Sequence, residues 1–570
     1  MIKNLNKANF NSLETDVAII GSGVSGLYSG WRLKNSSNFA DKNVVIFEMK
    51  NRIGGRLFSV RNYPKMENIV GELGGMRYME HQRIITNLIE KVFDLKTKDF
   101  PMGDSEKNIM YLRGQRFNES KFSTKDFITN YNLPEHLQGK HPDEIFTKIV
   151  NDILIHNNLQ PGSKNRKEWD KIKNKLVHYK GPDKGHKLRD TGFWNLINDI
   201  IGNEGYNYIS DAGAYFSNTI NWNASEAMPY IIGDFTGDIN YKTIEDGFDK
   251  ISESLANSFI NANGRIYTES KLINFSKSSN AKYKYELTIR NTENQLDNKV
   301  LCNKIILAMP RRSLELLNKD NILFQNGRNK NFIYNMRSVI GEPSFKLLMG
   351  FEPEENGNSW WKNNFNIDNG RSVTDLPMRQ CYYFGTDPVT KSSLLLASYN
   401  DMRTVDYWKP LEIPDSGKEY LKNSKSFHDK RENEKFSPKF SNFFTKEDFD
   451  RVEPEYKEAP ERMVNHSLAQ LKELHGLKEI PQPFTTIYEN WNDDPFGGGY
   501  HAWKARYDVS YVMKFMRQPV DGENVHICGE AYSDQQGWVE GALCVAENLL
   551  QQQFNLSPPE WLDKDYYLGR

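Results

Sequence analysis

A chain of 570 residues exceeds what one compact core organises, so two or three domains are expected. Its 74 basic and 75 acidic residues nearly cancel, which leaves no electrostatic footprint for nucleic acid or an anionic membrane as a partner. No apolar run approaches the ~20 residues of a spanning helix, and the opening MIKNLNKANFNSLETD lacks the apolar centre of a signal peptide. The expectation is a cytoplasmic protein, with non-standard secretion left open.

In chain order, the first element is DVAII, Asp16 to Ile20, a β-branched apolar run of the kind that makes a buried parallel strand. Gly21-Ser22-Gly23-Val24-Ser25-Gly26 follows at once, and LYSGWRLKN then reads as a helix. In that strand–turn–helix context, Gly21 makes the turn and Gly23 lets backbone approach a pyrophosphate. Gly26 allows close helix–strand packing, and the helix N-terminus, from Ser25, offers N–H groups to phosphate. A second apolar strand, NVVIFE, ends at Glu48, 22 residues beyond Gly26. A carboxylate there suits an unphosphorylated ribose 2′-OH. The cofactor is therefore a dinucleotide, and the glycine pattern alone does not say which.

The next segments decide. EMKNRIGGRLFSV adds a second glycine turn, closed by Gly55 and Arg56, whose guanidinium can reach the pyrophosphate from the other side. VGELGGMRYM adds a third, Gly74-Gly75-Met76-Arg77. This succession resembles the flavin-containing amine oxidases, in which FAD lies extended. Far downstream, VHIC reads as a strand, GEAYSDQQG as a loop and WVEGALCVAENLLQQ as an amphipathic helix. The resemblance makes this the C-terminal FAD segment of the family. It implies that Glu530 contacts the ribityl chain and that the helix start at Gly537, Trp538 and Val539 faces the flavin pyrimidine. It also implies adenine contacts from backbone around Leu272 and Ile273. The loop carries no cysteine for a covalent flavin bond, so non-covalent FAD is expected.

Within the family, an oxidase of amino acids needs a fixed cation for the substrate carboxylate, and arginine's planar fork suits two oxygens. GGMR is similar to the L-amino-acid oxidases, where the arginine at the position of Arg77 binds the α-carboxylate. GRSVTDLPMRQCYYFG, Gly370 to Gly385, resembles the strand of that branch whose tyrosine completes the clamp. Strand alternation lets only one of Tyr382 and Tyr383 face the site, and Tyr382 is preferred. Lys346, inside the apolar GEPSFKLLMGF, corresponds to the family's lysine that holds a water near flavin N5, with a pKa lowered by desolvation. By the same match the Gly537 carbonyl accepts from the substrate amine and Trp538 walls the substrate cage.

The expected fold is an α/β (α+β) multidomain chain. A discontinuous Rossmann-like FAD-binding domain takes 12–76, 244–340 and 480–555. A mixed-sheet substrate-binding domain takes 77–140, 225–243 and 341–479, and a helical domain takes 141–224. Within the last, DEIFTKIVNDILIHNN and NRKEWDKIKNKLVHY carry apolar residues at helical spacing. The charged stretch from Pro414 to Phe440 reads as a solvated excursion. Cys302, Cys381, Cys528 and Cys544 lack metal-like spacing and read as thiols, most of them in apolar runs, so no metal is expected.

The resemblance implies an FAD-dependent L-amino-acid oxidase with dioxygen as second substrate; a homodimer is the family-level expectation, with the oligomeric state left open. Hydride passes from substrate Cα to flavin N5, and the products are a 2-oxo acid, ammonia and hydrogen peroxide. The aromatic cage suggests bulky hydrophobic or aromatic substrates. Asp211 or Asp234 at the helical border keeps lysine or arginine open. An amino-acid 2-monooxygenase, releasing an amide and carbon dioxide, and a simple amine oxidase are the alternatives.

Overall fold

The apolar run ending at Ile20 forms the strand Leu13–Ile20, whose last four residues are buried. The structure, a computed structural model, describes residues 13–61, 63, 65–124, 127–234, 239–412 and 456–570. The charged stretch from Pro414 to Phe440 lies outside them.

Leu13–Ile20 pairs in parallel with Val44–Phe47 on one side and Asp297–Leu307 on the other. Arg265–Tyr267 extends the first flank, and Val525–Ile527 pairs in parallel with the end of Asp297–Leu307. Tyr285–Asn291 and Ser270–Lys277 continue as antiparallel strands. Segments hundreds of residues apart thus share one sheet. Its parallel strands end together at Ile20, Phe47, Leu307 and Ile527, and the carboxyl ends of such strands are where open α/β sheets form ligand crevices. The helices Val24–Lys34, Lys250–Asn261 and Val539–Phe554 contribute to one apolar core packed on this sheet.

A second sheet is antiparallel at its centre. It runs from Thr485–Asn490 through Ser344–Phe351, Ser393–Asp401 and Gln380–Thr386 to Gly370–Thr374, which pairs in parallel with Ile109–Leu112. One face packs on Trp360, Trp361 and Trp408. The other carries Leu348, Leu394, Leu396 and Tyr382 toward Met76 and Trp538. This is a mixed α/β, multidomain fold.

The helical region contains Pro142–His156, Arg166–Ile172, Phe193–Ala212 and Ala224–Asp234. It is less continuous than the periodicity suggests. Asn165 and Glu168 close a capping box at the second helix, but after Ile172 the chain tightens into a 3₁₀ turn. There the Lys173 ammonium turns inward between Asp170 at 2.6 Å and Glu226 at 2.7 Å. Gly202, at φ 73° and ψ 173°, breaks the longest helix.

Candidate functional site

The glycine loops meet across a close backbone approach. Gly23 bridges Gly54, and a Cβ on Gly55 would stand 3.1 Å from the Gly23 Cα. Gly21, at φ +104°, would drive a Cβ to 2.4 Å from the Ala308 carbonyl oxygen, so only glycine fits that turn. At Gly26 a Cβ would lie 2.0 Å from the Gly21 carbonyl oxygen, which fixes how tightly the helix Val24–Lys34 seats. That helix has no capping side chain and no acid in its first turn, so its N-terminal N–H groups suit an anion.

One cleft collects most of the residues singled out for the cofactor. Gly21, Gly23, Ser25, Glu48, Gly55 and Arg56 line it from the first part of the chain, with Gly75 beyond them. Leu272 lines it from the middle, and Glu530, Gly537, Trp538 and Val539 from the far end. Gly26, Gly74, Met76 and Ile273 stand behind this lining. The Ile273 carbonyl accepts from the Asn318 N–H beside a strand bulge.

The two acids of the cleft are held by the protein. Glu48 accepts from the N–H and hydroxyl of Ser22, both at 2.9 Å, and from the Lys50 N–H at 2.9 Å. Glu530 accepts four hydrogen bonds, from the His501 N–H and imidazole, the Gly537 N–H and Arg56. Burial alone would raise its pKa, but His501, Arg56 and these bonds bring it down to about 2. These donors use the carboxylate's four lone-pair sites, so Glu530 works first as the clamp that ties Arg56, the His501 strand and the Gly537 loop together. His501 is a partner the sequence reading does not find. A second is Arg52, which lines the cleft, donates to the Ile53 carbonyl and lies 4.2 Å over the Phe58 ring. Among the described residues it has no ion pair. An unpaired guanidinium, a free helix N-terminus and a side-chain-free glycine channel fit a dinucleotide pyrophosphate, and the residues present fit FAD.

Arg77 stands apart from the cleft lining. It is 8% exposed, its guanidinium lies 4.0 Å over the Tyr241 ring, and one N–H points at the Met102 sulfur. Burial opposes its charge, yet the phenols of Tyr215, Tyr382, Tyr241 and Tyr399 outweigh that and raise its pKa. No carboxylate pairs with it among the described residues. The Tyr382 hydroxyl lies 3.3 Å from that of Tyr215. Burial pushes the Tyr382 pKa up, but Arg77 and Arg371 together bring it below the ordinary tyrosine value. Arg371 therefore belongs to this chamber, and its position in the quoted strand motif was the available signal. Tyr383 points to the other sheet face, where its hydroxyl meets His475 at 2.7 Å and Ser372 at 2.9 Å.

Lys346 is 2% exposed. Its ammonium donates to the carbonyls of Gly74 at 2.6 Å and Glu72 at 3.2 Å, and lies 4.5 Å from the Tyr399 ring centre. Burial lowers its pKa to about 7, Arg77 adding to the effect while Glu72 opposes it. Trp538 donates its indole N–H to Asp234 at 2.8 Å and stacks on Tyr241. Asp234 is therefore engaged, and Asp211 is held by Tyr131 and Arg379. All four cysteines are buried and free, and no grouping of three or more His, Cys, Asp or Glu suits a metal among the described residues. Nor is any described helix long and apolar enough to cross a membrane.

Comparison with known proteins adds a lineage to this geometry. The profile of the family described as flavin containing amine oxidoreductase matches residues 24–445. Aplysianin-A of Aplysia kurodai is 26% identical over 559 residues, covering 95% of this chain and 90% of that protein. Achacin of Lissachatina fulica is 24% identical, covering 95% and 94%. An L-amino-acid oxidase of Mus musculus is 23% identical over 69% of this chain and 54% of its own length. In fold, the chain is similar to wild-type putrescine oxidase bound to putrescine, with a TM-score of 0.60 at 14% identity, covering 96% of this chain and 100% of that one.

Proposed function

The chain belongs to the flavin containing amine oxidoreductase family and is a flavoprotein oxidoreductase, and from that premise we propose an FAD-dependent L-amino-acid oxidase. The observation that carries the reading is Arg77: a buried, charged guanidinium without a carboxylate partner among the described residues, in a chamber of tyrosine hydroxyls. A bare amine gives such a group nothing to bind. An α-carboxylate satisfies it, with the Tyr382 hydroxyl as second donor.

The cofactor is held non-covalently by the glycine channel, the helix N-terminus after Gly23, Glu48, Arg52 and the Arg56–Glu530 clamp. When bound, FAD supplies the two-electron acceptor, so that an amino acid, dioxygen and water become a 2-oxo acid, ammonia and hydrogen peroxide. The protein's share is orientation and exclusion of water. Arg77 and Tyr382 fix the carboxylate end, and Trp538, anchored by Asp234, walls the amino end beside Gly537. Lys346, neutral above about pH 7 and held by the Glu72 and Gly74 carbonyls and the Met76 sulfur, is assigned to hold a water near the substrate. That water is placed to attack the released imine.

The test is an anaerobic flavin spectrum of the purified holoprotein mixed with L-phenylalanine, L-lysine or benzylamine, followed by oxygen. Bleaching by an L-amino acid, then peroxide and ammonia without carbon dioxide, is the expected result. Bleaching by benzylamine alone overturns the role of Arg77, and carbon dioxide with an amide makes the protein a monooxygenase.

A further inference from the structure

Beside the chamber lies a buried carboxyl group that the reading above does not use. Glu342 is 1% exposed, and neither of its carboxylate oxygens has a hydrogen-bond partner. It sits directly across a strand pair from Tyr500, which lines the cleft. The hydroxyls of Tyr500 and Ser217 stand close by and favour its charge, although they bond each other. A buried polar group left in this state needs an explanation, and a bound group is one.

Its surroundings say which group. Asp401, also buried, is satisfied by the N–H groups of Phe216 and Ser217 and by the Ser217 hydroxyl, which also bonds Tyr500. Burial and then the neighbouring charge of Asp401 push the Glu342 pKa well up, Glu530 adding to this. No arginine, lysine or histidine pairs with Glu342 among the described residues. The site lacks a cation that brings its own N–H donors.

Position separates the two ends of the ligand. A Cβ on Gly537 would stand 3.3 Å from the Tyr500 ring at its Cδ2, whereas the Tyr500 hydroxyl is at Ser217. The polar surroundings of Glu342 thus lie a ring's length from Gly537, where the α-amino group is proposed to sit. We propose that Glu342 determines specificity by receiving the cationic end of the substrate side chain, so that lysine, ornithine or arginine is oxidised in preference to uncharged amino acids. Arg77 and Glu342 are then the two ends of one binding site, satisfied together by a substrate with a carboxylate at one end and, at the other, a cation that favours the ionised Glu342. This rests on the amino-acid oxidase reading.

The experiment measures anaerobic flavin reduction by L-lysine and by L-norleucine, which has a similar chain without the charge. The wild type favours lysine, and Glu342→Gln lowers the lysine-to-norleucine ratio of kcat/KM by roughly 10- to 100-fold, as expected for loss of a buried counter-charge. Glu342→Asp restores part of it. A wild type that favours norleucine, or a ratio unchanged in Glu342→Gln, overturns the proposal. Should the variant not hold flavin, the wild type alone decides by comparing L-lysine with Nε-acetyl-L-lysine: equal kcat/KM overturns the role of Glu342. If no L-amino acid reduces the flavin, it is the oxidase reading that fails, and this inference with it.

Discussion

The cofactor cleft and the proposed substrate site adjoin at Gly537 and Trp538 yet treat charge in opposite ways. In the cleft, Glu48 and Glu530 accept three and four hydrogen bonds from the protein itself. In the proposed substrate site Arg77 has no carboxylate, and beside it Glu342 has no cationic partner, among the described residues. A site for a resident group can be rigid in advance, because its acids serve the scaffold. A site for a transient ligand keeps its charges uncompensated, at a cost in stability, so that binding a ligand of matching charge recovers that cost.

Variants can break this contrast at either end. The largest effect is expected for Arg77→Ala, which removes the only proposed cation for the carboxylate. It should cost about 3–5 kcal/mol in kcat/KM, a loss of at least roughly 100-fold, with the flavin spectrum intact; simultaneous loss of bound flavin would mean that Arg77 serves the cofactor. At the cleft, Glu530→Gln keeps shape but cannot satisfy four donors. A loss of about 2–4 kcal/mol in chemical denaturation, together with weakened flavin binding, is expected. Because the folded-state pKa of Glu530 lies below that of the unfolded chain, its stabilisation is present above the ordinary carboxylate range and is lost as pH falls toward about 2.

Smaller effects sharpen the comparison. If neutral Lys346 is the working form, turnover should fall roughly tenfold per pH unit below about 7. Lys346→Met should flatten that limb, and an unchanged profile would remove the amine from the mechanism. The two adjacent tyrosines give the finest test. Tyr382→Phe should raise KM for an amino acid by roughly fivefold, about 1 kcal/mol, with little change in stability. Tyr383→Phe should cost about 1 kcal/mol of stability by leaving His475 and Ser372 without their partner, and leave KM alone.

What the sequence makes legible follows from how local the information is. The Gly21–Gly26 turn, the strand ending before Glu48 and the C-terminal strand–loop–helix are each contained in a few neighbouring residues. Their chemistry is readable before any fold is known. Arg77 is readable because it adjoins such a segment. Glu342 is not: its neighbour Tyr500 comes from a distant segment, and nothing in GEPSF announces a carboxylate without a partner. His501 and Arg52 escape for the same reason, since their importance lies in pairings, or missing pairings, set by tertiary structure. The helical region fails differently. A periodic pattern cannot show that the helix tightens after Ile172, where Lys173 turns between two buried acids.

The sheet beneath the cleft has a consequence for synthesis on the ribosome. Its strand Leu13–Ile20 is made long before the strand Val525–Ile527 and the Glu530 clamp. Until they emerge, the nascent chain carries an open nucleotide crevice whose Arg56 has no carboxylate to hold it. Flavin capture is therefore expected only after both have emerged. A chain truncated before residue 525 should be recovered without flavin, however well its helical region folds.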